Sequence, residues 1–184
     1  MSKQSTTTFV TGGASGIGAA IVRAHALRGD NVAFTYWSSA DEAQALATEL
    51  GDRALALRSD VTDEAQVEQA FAQALTRFGQ IDTLVANAGG LLKRVKCVDM
   101  TLEFWNQAIA LNRTSAFLCG RAALRHMQPR RSGNIIIMAS LAGHDGGGPG
   151  ASHYGAAKGA LLSYTLALAK EVGPDGIRVN AIAP

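Results

Sequence analysis

The run from Thr7 to Leu27 constrains the fold more than any other stretch of the chain. Thr7-Thr8-Phe9-Val10-Thr11, β-branched and aromatic, reads as a strand that leads directly into Gly12-Gly13-Ala14-Ser15-Gly16-Ile17-Gly18. Ile17, Ala20, Ile21, Ala24 and Leu27 then recur at helical spacing, so a helix begins on the heels of the glycines. Strand, glycine turn and helix form the opening of a βαβ unit. Glycines let a ligand come close to the backbone, and the helix start offers unpaired N–H groups and the positive end of a dipole, a combination that suits a pyrophosphate. The spacing is Gly-x-x-x-Gly-x-Gly, and the absence of a following Gly-Lys-Ser/Thr excludes a Walker loop. Gly12, Ser15, Gly16, Ile17 and Gly18 are the expected cradle.

The same alternation continues to the end. Asn31–Thr35 is a second strand, and Ser39-Ala40-Asp41-Glu42 is a capping box opening a helix with Ala43, Leu46, Ala47 and Leu50 on one face. A third strand, 54–58, ends at Ser59-Asp60-Val61. Thr62 or Asp63 caps the next helix, whose Val67, Phe71, Ala74, Leu75 and Phe78 form an apolar stripe facing the core. Strand four, 83–86, closes on Asn87-Ala88-Gly89-Gly90. A long helix spans about 102 to 127, strand five is 134–138, a helix through Tyr154 extends to about Val172, and strand six is 177–181 after the turn Gly173-Pro174-Asp175-Gly176. Strands alternating with helices over short connections predict an α/β fold: a doubly wound parallel sheet with helices on both faces. Residues 1–184 read as one domain without internal repeats. Ligands on such sheets sit beyond the carboxyl ends of the strands, where the glycine loop, Tyr36-Trp37, Asp60, Asn87-Ala88-Gly89, Ser140 and Pro184 all fall, so one crevice is expected to collect them.

Charge and composition exclude several function classes. A net charge of +2, with basic residues no more clustered than Lys93-Arg94 and Arg130-Arg131, argues against nucleic acid and against a membrane surface. No apolar run approaches membrane-spanning length and no apolar signal core opens the chain, so a cytoplasmic protein is expected. Cys97 and Cys119 read as free thiols of a reducing compartment. His25, His126, His144 and His153 lack paired ligand spacing, so no metal site is expected.

Tyr154 and Lys158 supply the chemistry. Four residues apart on a helix, they share a face, so a phenol oxygen and an ammonium address the same bound molecule. A cation about 5 Å from a phenol at an effective dielectric of ~20 favours the phenolate by roughly 3 kcal/mol, which equips the pair for proton transfer. Ser140, directly after strand five, is the candidate neutral donor to a reacting oxygen, with Ser152 as its rival.

The ordered set Thr11-Gly12-x-x-x-Gly16-x-Gly18, Asn87-Ala88-Gly89, Ser140 and Tyr154-x-x-x-Lys158 resembles the short-chain dehydrogenase/reductase family over essentially the whole chain. Asn112 matches the family's catalytic asparagine, and Arg178-Val179-Asn180-Ala181-Ile182-Ala183-Pro184 its strand-six signature. The resemblance implies a nicotinamide dinucleotide and hydride exchange with a carbonyl or alcohol carbon of a small molecule. It implies Tyr154 as acid or base and Ser140 as orienting donor. Lys158 would steady the tyrosinate and bond the nicotinamide ribose, and Asn112 would hold a relay water to Lys158. By the same analogy Asp60 and Val61 flank the adenine. Tyr36-Trp37-Ser38-Ser39 ends strand two without the carboxylate that would repel a 2′-phosphate, and Ser38 and Ser39 could bond one although no Arg sits beside them in sequence; NADP(H) is favoured over NAD(H). The Tyr36-x-Ser38-Ser39 run is nearest the 3-oxoacyl-acyl-carrier-protein reductase-like branch.

Three departures stand out. Ala86 replaces an Asn of the commoner Asn-Asn-Ala-Gly, the Ser140-to-Tyr154 loop is one residue longer than usual, and the chain stops at Pro184, where family members continue into a substrate-binding segment and a last strand. The expectation is an enzyme lacking that segment, a homodimer or homotetramer through its long helices, with a non-catalytic dinucleotide-binding module or inactive fragment as the alternative.

Overall fold

A computed structural model describes residues 5–184. Six strands, β1 (Thr7–Val10), β2 (Asn31–Tyr36), β3 (Ala54–Arg58), β4 (Thr83–Ala86), β5 (Gly133–Met138) and β6 (Ile177–Ile182), form one parallel sheet in the order β3-β2-β1-β4-β5-β6. The order reverses between β1 and β4, the topological switch point at which doubly wound folds bind ligands. Register follows the pleat. Phe9 pairs with Ala33 and Leu84, and Val10 with Phe34 and Val85, so alternate residues of three central strands feed opposite faces.

On one face Val10, Phe34, Val85 and Met138 pack against helices α1 (Gly16–Leu27) and α2 (Ala40–Leu50) through Val22, Ala43 and Leu46. On the other, Phe9, Leu84, Ile135 and Ile137 meet α3 (Glu64–Phe78), and α5 (Ser115–Arg130) and α7 (Ser152–Val172) close that layer with Met127 and Leu161. Phe9 stacks on Phe71 with ring centroids 4.1 Å apart. Full burial of such rings contributes roughly 2–3 kcal/mol each. The chain also contains α4 (Leu102–Ile109) and a one-turn α6 (Ala142–Asp145).

The strands lie within one or two residues of their expected bounds, and the α2 and α3 faces are those expected. Asp63, the second of the two candidates, caps α3 by accepting the Gln66 N–H. Three expectations are corrected. The buried face of α1 is Gly18, Ala19, Val22 and Ala26, whereas Ile17 and Leu27 are exposed. Alanines make both sides of this helix weakly apolar, and its rotation is set by the close approach of Gly18 to the Gly12 carbonyl, which leaves no room for a Cβ. Ser39 holds the N-cap position of α2 but its side chain makes no cap bond, so the capping box does not close. The single helix expected from 102 to 127 is α4 and α5 joined by a π-helical turn, Ala110–Thr114, and α5 runs on through Pro129 to Arg130.

No helix among the described residues is long and apolar enough to cross a membrane, and among them no group of His, Cys, Asp or Glu is placed to hold a metal ion.

Candidate active site

The expected single crevice is two adjoining clefts at the carboxyl ends of the strands, of 430 and 360 Å³, sharing Gly12 and Ala88. The first is lined by Gly12, Ser15, Gly16, Ile17, Gly18, Asn87, Ala88, Gly89, Ser140, Tyr154, Lys158 and Pro184, which brings together twelve of the residues expected from sequence. The second takes Tyr36, Trp37, Asp60 and Val61. Ser38, Ser39 and Asn112 line neither cleft. Ser39 sits at the start of α2, where the chain turns away, and Asn112 lies beneath the floor.

The glycine loop is tied down from below. Gly13 N donates to Thr35 O at 2.8 Å, and the Asn87 amide donates to the carbonyls of Thr11 and Gly12 at 2.9 and 3.1 Å. Thr11 Oγ1 accepts from the N–H groups of both Asn87 and Ala88 at 2.9 Å, clamping the ends of β1 and β4 together across the switch point. Asn87 is thus a strut of the cleft. Gly16 has φ 51°, with nothing within 4 Å of where a Cβ would stand, and Ser15 makes no side-chain cap bond to α1. The helix start therefore offers its first-turn N–H groups to the cleft.

Tyr154 and Lys158 lie one turn apart on α7, with Lys158 Nζ 5.6 Å from the centroid of the Tyr154 ring. Tyr154 is half-buried, whereas Lys158 is 3 % exposed and donates from Nζ to Met138 O at 2.6 Å. Burial pushes the Lys158 ammonium down to about 8. By contrast Tyr164, ten residues on, is pushed up to about 12 by burial and then by the Glu171 charge. Ser140 Oγ accepts from Ala142 N at 3.2 Å and remains at the cleft wall.

Asn112 is fully buried in the π-turn. Its Oδ1 accepts from Gly90 N at 2.9 Å, and its Nδ2 donates to Gly90 O at 2.9 Å and Ala108 O at 3.0 Å. A Cβ on Gly89 would lie 2.6 Å from Asn112 Oδ1 and 3.3 Å from Lys158 Nζ. Asn112 thereby fixes the Gly89–Gly90 backbone against the lysine. Asp60 Oδ1 accepts from Thr62 N and Thr62 Oγ1 at 2.9 and 2.7 Å, shaping the turn after β3 while the residue lines the second cleft.

Several features were not found from sequence. Ser59 lines the second cleft with a buried hydroxyl that has no partner, and Arg58 stands over Trp37. Arg94 Nη1 donates to Gly147 O and Pro149 O at 3.1 and 2.8 Å, buckling the glycine-rich segment between Ser140 and Tyr154. His153 is buried beside Phe104, its Nε2 2.9 Å from Leu91 O. Only residue-specific contacts made far along the chain reveal these, apart from the Ser after the β3 arginine, whose place next to Asp60 was a usable signal.

A family model described as short chain dehydrogenase matches residues 6–184. The chain is 38% identical over 179 residues to a 3-oxoacyl-[acyl-carrier-protein] reductase of Synechocystis sp., covering 96% of this chain and 72% of that protein. It is 40% identical over 176 residues to cis-4-hydroxycyclohexanecarboxylate dehydrogenase of Sinomonas cyclohexanicum, covering 95% and 70%. A solved double mutant of a Serratia marcescens short-chain dehydrogenase/reductase superposes with a TM-score of 0.92 at 38% identity, over 98% of this chain and 74% of that one.

Proposed function

The chain belongs to the short chain dehydrogenase family, and on that premise we propose that it exchanges a hydride between a nicotinamide dinucleotide and a ketone or secondary alcohol carbon. It is an oxidoreductase acting on CH–OH and C=O groups. A 3-oxoacyl compound or similar ketone is the preferred substrate class, in keeping with the reductases among its relatives. NADP(H) is preferred over NAD(H), residues 1–184 act as one dinucleotide-binding domain, and the working form is a cytoplasmic homodimer or homotetramer.

The residues present fit a dinucleotide. Open space stands where a side chain at Gly16 would project, the start of α1 is uncapped by Ser15, and the orphaned Ser59 hydroxyl lies in the second cleft, one cleft on from the first. Gly12, Ser15, Gly16, Ile17 and Gly18 would hold the pyrophosphate, and Tyr36, Trp37, Asp60 and Val61 the adenosine. Asn87, Ala88, Gly89, Lys158 and Pro184 would hold the nicotinamide end. When bound, the cofactor supplies or accepts the hydride.

The side chains handle the proton. A carbonyl that gains a hydride leaves negative charge on its oxygen, which Tyr154 protonates in reduction; in oxidation the same hydroxyl takes the proton back. Ser140 donates to that oxygen and orients it. Lys158 stands over the Tyr154 ring, so a positive charge accompanies the phenol in the cleft where the alkoxide would form. Asn112 is a positioning residue, holding Gly89–Gly90 where the lysine needs it.

The observation that carries this reading is the Tyr154–Lys158 pair on one face of α7, lining the same cleft as Ser140 and the glycine loop. The test is Tyr154→Phe, followed by oxidation of NADPH with an acetoacetyl thioester as probe. Turnover is expected to fall on the order of 10²–10⁴-fold with dinucleotide affinity nearly unchanged. A Phe variant as active as the parent would remove the mechanism.

A further inference from the structure

The second cleft contains a choice that sequence order hides. Resting on the reading of the clefts as a dinucleotide site, we infer that Arg58, delivered by β3, is the ligand of the 2′-phosphate and sets the preference for the phosphorylated dinucleotide. The end of β2 carries no basic residue: Tyr36 and Trp37 line the cleft there, whereas Ser38, Ser39 and Arg58 itself do not, and Arg58 meets the cleft only through Trp37, over which it stands. The parallel pairing of β2 and β3, however, places Arg58 directly opposite Tyr36. Its guanidinium carbon lies 5.3 Å from the centroid of the Trp37 ring. Among the described residues Arg58 makes no hydrogen bond and no ion pair, so its N–H groups are free. A guanidinium over an indole ring is attracted by the ring quadrupole, and that contact uses none of its N–H donors in a conventional hydrogen bond. The guanidinium fork matches two oxygens of a phosphate.

Two neighbours agree with this placement. Ser59, the next residue, faces inward. It is 2 % exposed, its N–H donates to Tyr36 O at 2.9 Å, and its hydroxyl is buried in the cleft wall without a partner, which an adenosine would supply. Asp60 is the one carboxylate lining this cleft, and its Oδ1 is engaged by Thr62 from both backbone and side chain. A carboxylate fixed in its own turn does not take the place of the acidic residue that would hold a ribose diol at the β2 end and repel a phosphate.

The experiment is calorimetric titration of the whole chain and of Arg58→Gln with NADP⁺ and with NAD⁺. The parent is expected to bind NADP⁺ tighter by about tenfold or more, and Arg58→Gln to lose about that factor for NADP⁺ while its NAD⁺ affinity stays within about twofold. Added salt should weaken NADP⁺ binding more steeply in the parent than in the variant, because one exposed charge pair is removed. Arg58→Lys, which keeps the charge and loses the fork, should fall between the two. Equal loss for both dinucleotides would make Arg58 a prop for Trp37 and overturn the inference, as would unchanged affinities or a parent that prefers NAD⁺. Those results would leave the dinucleotide site standing. Failure of either dinucleotide to bind would instead overturn the functional reading and this inference together.

Discussion

The Lys158 ammonium gives up nearly all of its hydration for one carbonyl, Met138 O, and burial accordingly brings it down to about 8 from an ordinary 10.5. The unfolded chain then binds more protons than the folded one between about pH 8 and 10.5, so stability rises with pH across that window and the penalty is fully present below it. Lys158→Met removes the dependence. Measured by urea unfolding at successive pH values, the parent should gain on the variant by up to roughly 3 kcal/mol between about pH 8 and 10. A flat difference, or one of opposite sign, would show that the lysine keeps its water. The two thiols make a simpler case. Burial pushes Cys119 up to about 12, whereas Cys97 is exposed in the segment before α4. Because the thiolate is the reactive form, a disulfide reagent at neutral pH should titrate one thiol rapidly in the folded chain and two after unfolding. Fast reaction of both in the folded state would contradict the packing around α5. At this scale the sequence was most legible where one residue type has one use. Tyr154, Lys158 and the glycines stood out by spacing and gained weight from the ordered motifs around them, whereas Arg58 and Arg94 act on residues that are neighbours only in space.

The π-turn between α4 and α5 is the element whose geometry the site most depends on. One extra residue in the turn brings Asn112 under the Gly89–Gly90 loop, where its amide satisfies Gly90 N–H, Gly90 C=O and Ala108 C=O. Asn112→Ala would leave those groups to find other partners, at a cost of about 1–3 kcal/mol for each one left buried. Loss of roughly 2–3 kcal/mol in chemical unfolding is therefore expected, together with faster amide exchange at Gly90. A loss below ~1 kcal/mol would mean that the turn holds without its amide. Sequence periodicity did not show this break, because apolar residues keep a helical rhythm straight through it. The α1 face was misread for a related reason: in an alanine-rich helix the rotation is decided by one close backbone approach, that of Gly18 to the Gly12 carbonyl, which apolar periodicity does not record. Strands fared better, since a parallel sheet buried on both faces needs short β-branched runs that stand out against their glycine and helical surroundings. The loop from Ser140 to Tyr154 hid its one-turn helix among glycines that favour turns locally, and its fixation comes from Arg94 some fifty residues earlier.

At the scale of the molecule, the alternation of elements gives a parallel sheet covered on both faces, and the observed strand order brings the glycine loop, Asn87 and the Tyr154 helix to one end of the sheet. What alternation does not specify is the outer surface of the helices. Val98 is 88 % exposed, Leu102 73 %, Phe117 44 % and Leu166 66 %, on α5, on α7 and at the entrance to α4. The helices α5 and α7 adjoin, since a Cβ at Gly120 would lie 3.0 Å from the Tyr164 hydroxyl oxygen. Single exposed apolar residues need no explanation, but several on adjoining helices favour association, and a second copy of the chain offers the same surface by two-fold symmetry. A stable pair buries about 800 Å² on each partner, an area that two long helices can provide. Sedimentation velocity should therefore find a dimer or tetramer at micromolar concentration. Phe117→Glu combined with Leu166→Glu should shift it to the monomer, because each charge would have to be desolvated at the contact. Dinucleotide affinity should persist in that variant, since neither residue lines a cleft. A parent chain that sediments as a monomer would show that these side chains are simply solvated, and would remove the oligomer from the proposed function without touching the Tyr154–Lys158 chemistry.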